Sequence, residues 1–590
     1  METLLQQMTK AAGKAFEACG MDPAFGKVNL SNRPDLCEYQ SNGALAAAKQ
    51  AHRNPLEIAE AVAERLKDDP LFEKAEAVRP GFINLTLSPE AVAAYLNNRK
   101  DDPMLGAEPI GAGKTIILDY GGANVAKPLH IGHLRSAIIG ESLKRICRFL
   151  GFHAIGDVHL GDWGLQMGLI IEALRDKEPG LPYFDAAHKG DYPAEAPFTI
   201  SDLEEIYPAA SARSKEDAEF AARAHEATRR LQNGDPGYYA LFRHIVNVSV
   251  ADLKKNYGNL DVSFDLWKGE SDAQAYIPAM LAEFKKKGLL KESEGAMVIE
   301  VAEESDTKEV PPCLVQKSDG AYLYATTDLA TIVQREQDYH PDEYFYVTDK
   351  RQAMHFLQVF RAARKTGLVG EETIMTHLGF GTMNGKDGKP FKTRSGGVMR
   401  LEYLLEDVTA AVYERMAGSD MPEEEKRRAA RIIGLAALKY GDLSNQATKD
   451  YIFDMDRFTS FEGNTGPYIL YTIVRIASIL NKYAAAEGGS ADALPDTILP
   501  AADAGEKELQ RILCGAGEVI LSSYTEKAPH KLCLYLYDLS NAFNSFYHDH
   551  RILAEEDQAR RASWIALLAE TKRVLSTLIG LLGFEAPERM

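Results

Sequence analysis

Cysteine is scarce in this sequence, and the few cysteines are scattered. None of the six lies in the Cys-x-x-Cys spacing that a structural zinc site uses. They are Cys19, Cys37, Cys147, Cys313, Cys514 and Cys533. We therefore expect reduced, buried thiols of the kind found in cytosolic proteins, and no zinc centre.

Long apolar runs are also missing. No stretch approaches the roughly 20 residues that a membrane-spanning helix needs, so we expect no span. The segment Met1 to Gly20 has the pattern of an amphipathic helix with Glu2 and Glu17. It lacks the basic start and apolar core of a signal peptide. These two absences predict a cytoplasmic protein.

Positive charge is in deficit. The chain has 67 Lys and Arg against 86 Asp and Glu, a net charge of −19. Such a field repels polyanions and at first argues against a nucleic-acid partner. The objection is weak, because screening over about 8 Å makes local patches matter more than the sum.

A chain of 590 residues is too long for one core, and its patterns divide it into four parts. Hydrophobic content of 45% is that of an ordinary globular protein. The predicted parts are an α+β domain over 1–105, an α/β domain over 106–400 with an insertion at about 176–210, a helical connector over 401–455 and a helical domain over 456–590. The fold class is therefore multidomain α/β with an all-α C-terminal bundle.

The second part contains short apolar runs separated by helical patterns, which predicts a mostly parallel sheet. The candidate strands are Thr115–Leu118, Met297–Val301, Tyr344–Val347 and Thr373–Leu378. In the first part, residues 81–87 alternate with period two and predict a strand, and Asn54-Pro55 predicts a helix start.

The tetrapeptide His130-Ile131-Gly132-His133 is the most informative pattern present. It lies between the strand at Thr115 and a helical segment from Leu134 to Leu150. A strand, a glycine-bearing turn and a helix start form a phosphate site, because unpaired N–H groups and the helix dipole attract anions. Two imidazoles could donate hydrogen bonds to a phosphate in the transition state. The alternative is a pair of capping or core histidines.

The flanking residues extend this pattern. Residues 119–140 run Asp-Tyr-Gly-Gly-Ala-Asn-Val-Ala-Lys-Pro-Leu-His-Ile-Gly-His-Leu-Arg-Ser-Ala-Ile-Ile-Gly. The core resembles class I aminoacyl-tRNA synthetases, and the longer string resembles their arginyl-tRNA synthetase family. Similar family-like segments occur at 161–164, 324–328 and 466–468. The resemblance covers nearly the whole chain and implies a Rossmann-type catalytic domain followed by an anticodon-binding bundle.

The resemblance also implies a second signature loop, for which residues 385–395 are a degenerate match. Arg394 stands where that loop carries its key lysine, and Lys392 is out of register. Many arginyl enzymes instead have a lysine upstream of the histidine pattern, and Lys127 fits that place. All three cations are candidates for binding the triphosphate. The alternative is a solvated basic loop.

For the amino acid, the resemblance implies Asp328 and Glu270 as partners of a guanidinium, with Tyr324 packed on its plane. Two carboxylates suit a flat cation that donates paired hydrogen bonds, and they disfavour lysine. Family positions for the α-amino group fall on Asn124 and Gln352, assisted by Asp119. Taken alone, Asp328 could be a helix cap and Glu270 a surface carboxylate.

ATP and tRNA sites follow in the same way. The resemblance implies that Gly379, Gly381 and Met383 hold the adenosine, and that Gly132 lets phosphate approach the backbone. Exposed aromatics and amides suit stacking on anticodon bases. The candidates are Tyr468, Tyr471, Arg475, Asn541, Asn544 and Tyr547, with Phe82 and Asn84 in the N-terminal domain. The alternative is a helix bundle with tyrosines in its core.

The function implied is ligation of L-arginine to tRNA(Arg) with ATP and Mg²⁺, through an arginyl-adenylate, by a monomer. The family generally needs tRNA even for the first step. The alternatives are a synthetase for glutamate or cysteine, an adenylating enzyme without tRNA, and a non-catalytic RNA-binding protein. Glutamate would need a cationic pocket, and the long helical C-terminus disfavours an enzyme that lacks tRNA.

Overall fold

The structure is a computed structural model that describes residues 2–33, 35–318, 320–389, 399–487 and 494–590. Strands in these residues are β1 Val28–Leu30, β2 Tyr39–Ser41, β3 Phe72–Val78, β4 Phe82–Leu87, β5 Thr115–Asp119, β6 His153–Asp157, β7 Lys291–Ser293, β8 Ala296–Ile299, β9 Cys313–Gln316, β10 Glu343–Asp349, β11 Ile374–Phe380, β12 Met383–Asn384 and β13 Tyr451–Ile452.

Helices account for most of the remaining chain. They are α1 Leu4–Ala18, α2 Gly43–Ala51, α3 Pro55–Leu66, α4 Pro89–Arg99, α5 Ile131–Phe149, α6 Leu165–Lys177, α7 Ile200–Glu216, α8 Ala218–Gln232, α9 Pro236–Asn259, α10 Glu270–Ala273, α11 Ile277–Lys286, α12 Tyr324–Tyr339, α13 Ala353–Thr366, α14 Leu401–Arg415, α15 Glu423–Leu443, α16 Met455–Phe458, α17 Gly466–Ala486, α18 Ala504–Cys514, α19 Ala516–Thr525, α20 His530–Asp549 and α21 Gln558–Leu582. Short 3₁₀ turns lie at Pro23–Gly26, Pro182–Phe184, Gln274–Tyr276, Lys350–Gln352 and Ile552–Ala554.

The chain forms two compact units. The terminal unit takes its described residues from 1–110, 416–440 and 459–590, and the central unit takes them from 111–415 and 441–458. The four-part division drawn from the sequence stays a prediction. Among the described residues, no helix is both long and apolar enough to cross a membrane.

The terminal unit combines a four-stranded antiparallel sheet with helices. The strand order is β1-β2-β4-β3. Strand β4 buries Ile83, Leu85 and Leu87 and turns the alternate residues outward, which confirms the strand expected at 81–87. Helix α3 begins at Pro55, and the Asn54 side chain caps it by accepting a hydrogen bond from the Leu56 N–H, as the sequence predicts.

The central unit is built on a parallel sheet of order β11-β10-β5-β6. Strand β5 lies inside it, pairing Leu118 with Phe345 on one side and Ile117 with Ile155 on the other. Its apolar residues are buried, because parallel sheets are covered on both faces. The carboxyl ends of these strands share one edge, where ligands of such sheets bind.

Two expectations need correction. The predicted strand at Met297–Val301 exists as β8, but it belongs to a separate antiparallel sheet of order β7-β8-β9. Strand β6 was not predicted at all, although it forms one edge of the parallel sheet. The Pro-rich insertion is partly helical: α7 begins at Ile200, where Thr199 and Asp202 cap each other's backbone N–H groups.

Candidate active site and RNA-binding face

The histidine turn lies at the start of α5. His130 is its N-cap residue, and the two imidazole rings lie 4.0 Å apart between centroids. The Nδ1 of His130 accepts the Gly132 N–H at 3.0 Å, and the Nδ1 of His133 accepts the His130 N–H at 3.2 Å. Each neutral ring therefore carries its proton on Nε2 and can donate from that atom.

Both rings are neutral at physiological pH. Burial, and then the neighbouring His130, lower the pKa of His133 to about 3. Burial, and then the charge of Lys127, also lower the pKa of His130. Gly132 is required by the turn itself, because a Cβ there would lie 2.7 Å from Cε1 of His130. The structure thus brings together the histidines that the sequence singled out.

The loop between β5 and α5 is fixed by backbone contacts. Gly121 has φ +89, and its N–H donates to Ser136 Oγ at 2.8 Å. Asn124 forms a parallel bridge with Gly161, and a side chain at Gly161 would collide with the Asn124 side chain. The family-like segment at 161–164 therefore seats Asn124, one of the residues predicted to hold the α-amino group.

The predicted guanidinium partners lie close enough to influence each other. Glu270 opens α10, and Asp328 lies in the first turns of α12. Burial raises the pKa of Glu270 to about 7; His159 opposes this rise, while Asp162 and Asp328 add to it. Glu270 and Asp328 therefore define a desolvated acidic pocket, which suits binding of a cation.

The other predicted arginine-binding residues differ in exposure. Tyr324 begins α12 with 74% of its surface exposed, and Gln352 is exposed before α13. Asp119 is buried at the end of β5, where its Oδ2 accepts from Arg335 at 2.6 Å. Arg335 also donates to Asp157 at 2.8 Å. The contact of Asp119 in this structure is thus a buried ion pair.

Three residues of this region were missed by sequence reasoning. The Nε2 of His355 lies 2.6 Å from Oδ2 of Asp328. His159 follows the unpredicted strand β6, and its buried Nδ1 has no hydrogen-bond partner among the described residues. Arg335 bridges Asp119 and Asp157. A prediction of β6 would have drawn attention to His159, which follows the end of that strand.

The predicted adenosine segment leaves the sheet at the end of β11. A Cβ on Gly379 would lie 2.8 Å from the Lys350 backbone, and one on Gly381 would lie 2.5 Å from the Lys449 backbone. The Gly381 carbonyl accepts from Arg135 at 2.8 Å. Met383 is buried in β12. Both glycines thus permit close backbone packing at the edge where the histidine turn lies.

Of the predicted triphosphate cations, the structure describes Lys127. Its ammonium lies 4.9 Å from the ring centroid of Tyr207. Lys392 and Arg394 lie outside the described residues. Among the described residues there is no group of three or more His, Cys, Asp or Glu side chains that could hold a metal ion.

The predicted tRNA-binding residues of the helical domain form one surface in the terminal unit. Tyr468 donates to Asn541 at 2.7 Å, and Asn544 donates to the Tyr468 hydroxyl at 2.9 Å. These contacts join α17 to α20. They leave the aromatic rings beside them exposed, so the residues do not form a closed tyrosine core.

Arg475 is the centre of that surface. Its Nη1 donates to Asn544 at 2.8 Å, and its guanidinium lies 4.6 Å from the Tyr471 ring and 5.6 Å from the Tyr547 ring. Tyr471 and Tyr547 are 39% and 40% exposed. Aromatic faces next to a held cation suit base stacking.

The N-terminal candidates lie on the β4 strand of the terminal unit. Phe82 and Asn84 are two positions apart, so their side chains share the half-buried face of that strand. The Asn84 Oδ1 accepts a hydrogen bond from Gln40 at 2.8 Å. The structure thus places them on one face, and a role in RNA binding stays a prediction.

Comparison with known proteins identifies the family. A family model described as class I tRNA synthetase (R), catalytic domain, matches residues 100–455. A DALR anticodon binding domain matches residues 469–590, and an arginyl tRNA synthetase N terminal domain matches residues 2–87.

Curated relatives and solved structures agree with these matches. The chain is 56% identical to an arginine–tRNA ligase of Agathobacter rectalis and 53% identical to one of Alkaliphilus oremlandii, over 100% of both chains in each case. The arginyl-tRNA synthetase structure from Plasmodium falciparum superposes with a TM-score of 0.79 at 24% identity, over 100% of both chains.

The Thermus thermophilus arginyl-tRNA synthetase structure superposes with a TM-score of 0.78 at 23% identity, over 99% of this chain and 100% of that one. These matches confirm the multidomain α/β fold and the ligase class that the sequence predicts. The chain therefore belongs to the class I arginyl-tRNA synthetase family.

Proposed function

We propose that this chain is an arginine–tRNA ligase that activates L-arginine with ATP and transfers it to the 3′ end of tRNA(Arg). The observation that carries the proposal is the histidine turn. Two neutral imidazoles, with both Nδ1 atoms occupied by backbone N–H groups, present Nε2–H donors at a helix start. That arrangement suits stabilising charge on a phosphate.

In the first step, a carboxylate oxygen of arginine attacks the α-phosphorus of ATP. The bond to the bridging oxygen breaks, and pyrophosphate leaves. In the second step, a hydroxyl of the terminal ribose of tRNA attacks the arginyl carbonyl, and AMP leaves. Since no covalent enzyme intermediate forms, the protein contributes positioning and electrostatic stabilisation. We assign charge stabilisation at the α-phosphate to the Nε2 atoms of His130 and His133.

The remaining nucleotide contacts are assigned by segment. Gly132, Gly379, Gly381 and Met383 would border ATP, and Lys127, Lys392 and Arg394 would approach its triphosphate. Mg²⁺ enters as part of the Mg–ATP substrate. Its ligands would be mainly phosphate oxygens and water, as is usual for this ion, so no cage of protein ligands is needed.

Arginine selection is assigned to the acidic pocket. Glu270 and Asp328 would each accept hydrogen bonds from the guanidinium, with Tyr324 closing over its plane. Asn124 and Gln352 would hold the α-amino group, with Asp119 nearby. A lysine ammonium is a compact point charge, so it cannot satisfy two acceptors arranged for a flat fork.

The RNA is assigned to two surfaces of the terminal unit. Tyr468, Tyr471, Arg475, Asn541, Asn544 and Tyr547 would hold the anticodon, and Phe82 and Asn84 would contact the body of the tRNA. We further propose that tRNA is required for the activation step, that the active species is a monomer and that it works in the cytoplasm. Size-exclusion chromatography with light scattering checks the monomer.

Pyrophosphate exchange tests the activity as a whole. Labelled pyrophosphate should enter ATP only when L-arginine and tRNA(Arg) are both present, and lysine and glutamate should not replace arginine. Exchange driven by another amino acid would overturn the assigned specificity. Exchange with arginine in the absence of tRNA would overturn the tRNA requirement alone.

A further inference from the structure

Helix α7 of the insertion contacts two cations that lie beside the histidine turn. Tyr207 places its ring centroid 4.9 Å from the Lys127 ammonium, and Glu204 accepts from Arg400 Nη1 at 2.9 Å. Glu204 and Tyr207 are three positions apart, so they share one face of the helix. The same face therefore touches both cations.

Both cations adjoin the histidine turn through the backbone. Arg400 forms an antiparallel bridge with His130, and the hydrogen bonds from Ile131 N to Met399 O and from Leu401 N to Leu129 O extend it at 3.1 and 3.0 Å. Lys127 lies three positions before His130 in the chain. The chain thus brings a lysine and an arginine to the place where phosphate is proposed to bind.

The residues of α7 are themselves held in place. Tyr207 packs against a small buried cluster that comprises Leu169, Ala210, Phe220 and Ala224. The Glu204 side chain is only 14% exposed, whereas that of Arg400 is 39% exposed. In the Glu204–Arg400 pair, the residue on the helix is therefore the more buried partner.

We propose that Tyr207 and Glu204 are positioning residues, which hold Lys127 and Arg400 beside the histidine turn so that both cations meet the triphosphate of ATP. The inference rests on the proposed function, because it takes ATP to bind at that turn. Lysine and arginine side chains lose much rotamer freedom when a ligand orders them. Partners that order them beforehand remove part of that cost from ATP binding. The insertion thereby helps to set the affinity for ATP.

Calorimetric titration of Mg–ATP into the full-length protein tests the tyrosine. Tyr207→Leu should raise the ATP dissociation constant about two- to five-fold, the range of a partly exposed cation–π contact. Tyr207→Phe keeps the aromatic face and should bind ATP as the unaltered protein does. Tyr239→Leu, which removes a half-exposed ring from α9 of the same unit, is the matched control and should have no effect.

A double-mutant cycle separates positioning from general support of the fold. In a Lys127→Ala background, Tyr207→Leu should cause no further loss of ATP affinity. Glu204→Gln should weaken ATP binding in the unaltered background and have no effect in an Arg400→Gln background. If Tyr207→Leu does not fold, the cycle of Glu204→Gln with Arg400→Gln still tests the inference.

The inference is overturned if the losses persist in the Lys127→Ala and Arg400→Gln backgrounds, or if Tyr207→Phe behaves like Tyr207→Leu. It is also overturned if ATP binding is unchanged in both Tyr207→Leu and Glu204→Gln. These outcomes count against the inference alone when the unaltered protein still binds Mg–ATP and catalyses arginine-dependent exchange. An unaltered protein that does neither would instead overturn the proposed function, and this inference with it.

Discussion

At the scale of single residues, the acidic pocket is defined by the burial of Glu270 close to other carboxyl groups. Burial raises the pKa of Glu270, the carboxyl groups of Asp162 and Asp328 act in the same direction, and His159 opposes them. Asp328 is held by His355. A guanidinium supplies one positive charge and can donate hydrogen bonds to both acids, whereas an uncharged ligand supplies no charge. Selection for arginine and the titration of Glu270 therefore have one physical cause.

Asp328→Ala should weaken arginine binding by about 2–4 kcal/mol, because it removes one partner of a desolvated charge pair. The measurement is the KM for arginine in the exchange reaction. Asp338→Ala removes an exposed acid from the same helix α12 and should leave that KM unchanged. An unaltered KM for arginine in Asp328→Ala would exclude the residue from guanidinium binding.

Arginine binding should weaken as pH falls through about 7. Glu270, whose pKa is raised to about 7, holds a proton below that pH, and the guanidinium needs the ionised carboxylate. Displacing one proton predicts about tenfold weaker binding at pH 6 than at pH 8. Calorimetry at the two pH values measures the change. Glu270→Gln should bind weakly at both; a tenfold change that survives in Glu270→Gln would assign the titration elsewhere.

His133→Ala should lower the activation rate about 10²–10³-fold, the usual loss when one hydrogen-bond donor to transition-state charge is removed. Single-turnover kinetics with saturating ATP measures the rate directly. His153→Ala, at an exposed position in β6, is the control. If only the affinity for ATP falls, the imidazole acts in ground-state binding instead.

At the scale of elements, local patterns were predicted from the sequence and long-range packing was not. The strand before His130 and the helix after it are neighbours in the sequence, so their local patterns were enough to predict the histidine turn between them. The pairing of His355 with Asp328 depends on how α13 packs on α12, which no local pattern encodes. Strand β6 was not predicted because Gly156 interrupts its short apolar stretch. Its parallel partner β5 is also a separate segment of the sequence.

The same limit explains the sheet assignment. Residues 296–299 do form a strand, as their apolar run predicts. Whether a strand joins a parallel or an antiparallel sheet depends on its partners, here β7 and β9. The guanidinium partners are also far apart in sequence, so the family resemblance, and not their spacing, connected Glu270 with Asp328.

The α17–α20 surface leads to a prediction at this scale. Tyr547→Ala should raise the KM for tRNA about 5- to 100-fold, since aromatic stacking contributes about 1–3 kcal/mol per base. Tyr547→Phe should retain most of the affinity. The reaction's KM for ATP should stay unchanged, because the surface belongs to the terminal unit. Leu534→Ala, at an exposed apolar residue of the same helix, is the control. Equal tRNA KM values for the Tyr547→Ala and Leu534→Ala chains would move the RNA contact elsewhere.

At the scale of the whole molecule, the terminal unit joins the two ends of the sequence. A buried ion network connects them: Arg99 of α4 donates to Glu570 of α21 at 2.6 Å and to the Leu513 carbonyl at 2.8 Å. Arg573 donates to the other Glu570 oxygen at 2.7 Å and to the Asp102 carbonyl at 2.8 Å. Arg99 keeps its carboxylate partner only while the two ends stay together, whereas Glu570 also pairs with Arg573 of its own helix.

Arg99→Ala should therefore destabilise the terminal unit by about 3–5 kcal/mol, because it leaves the buried Glu570 carboxylate with one partner fewer. Urea unfolding followed by circular dichroism, with limited proteolysis of the N-terminal segment, measures the loss. Lys100→Ala is a close control: the next residue pairs with Asp496 at the surface, where solvent screens the charges, so its loss should leave the stability nearly unchanged. Replacing both partners, in Arg99→Met with Glu570→Leu, should recover stability relative to Arg99→Ala, since part of the cost comes from a buried carboxylate that has lost one of its two cationic partners. If Arg99→Ala and Lys100→Ala unfolded at the same urea concentration, the buried network would not be what holds the two ends together.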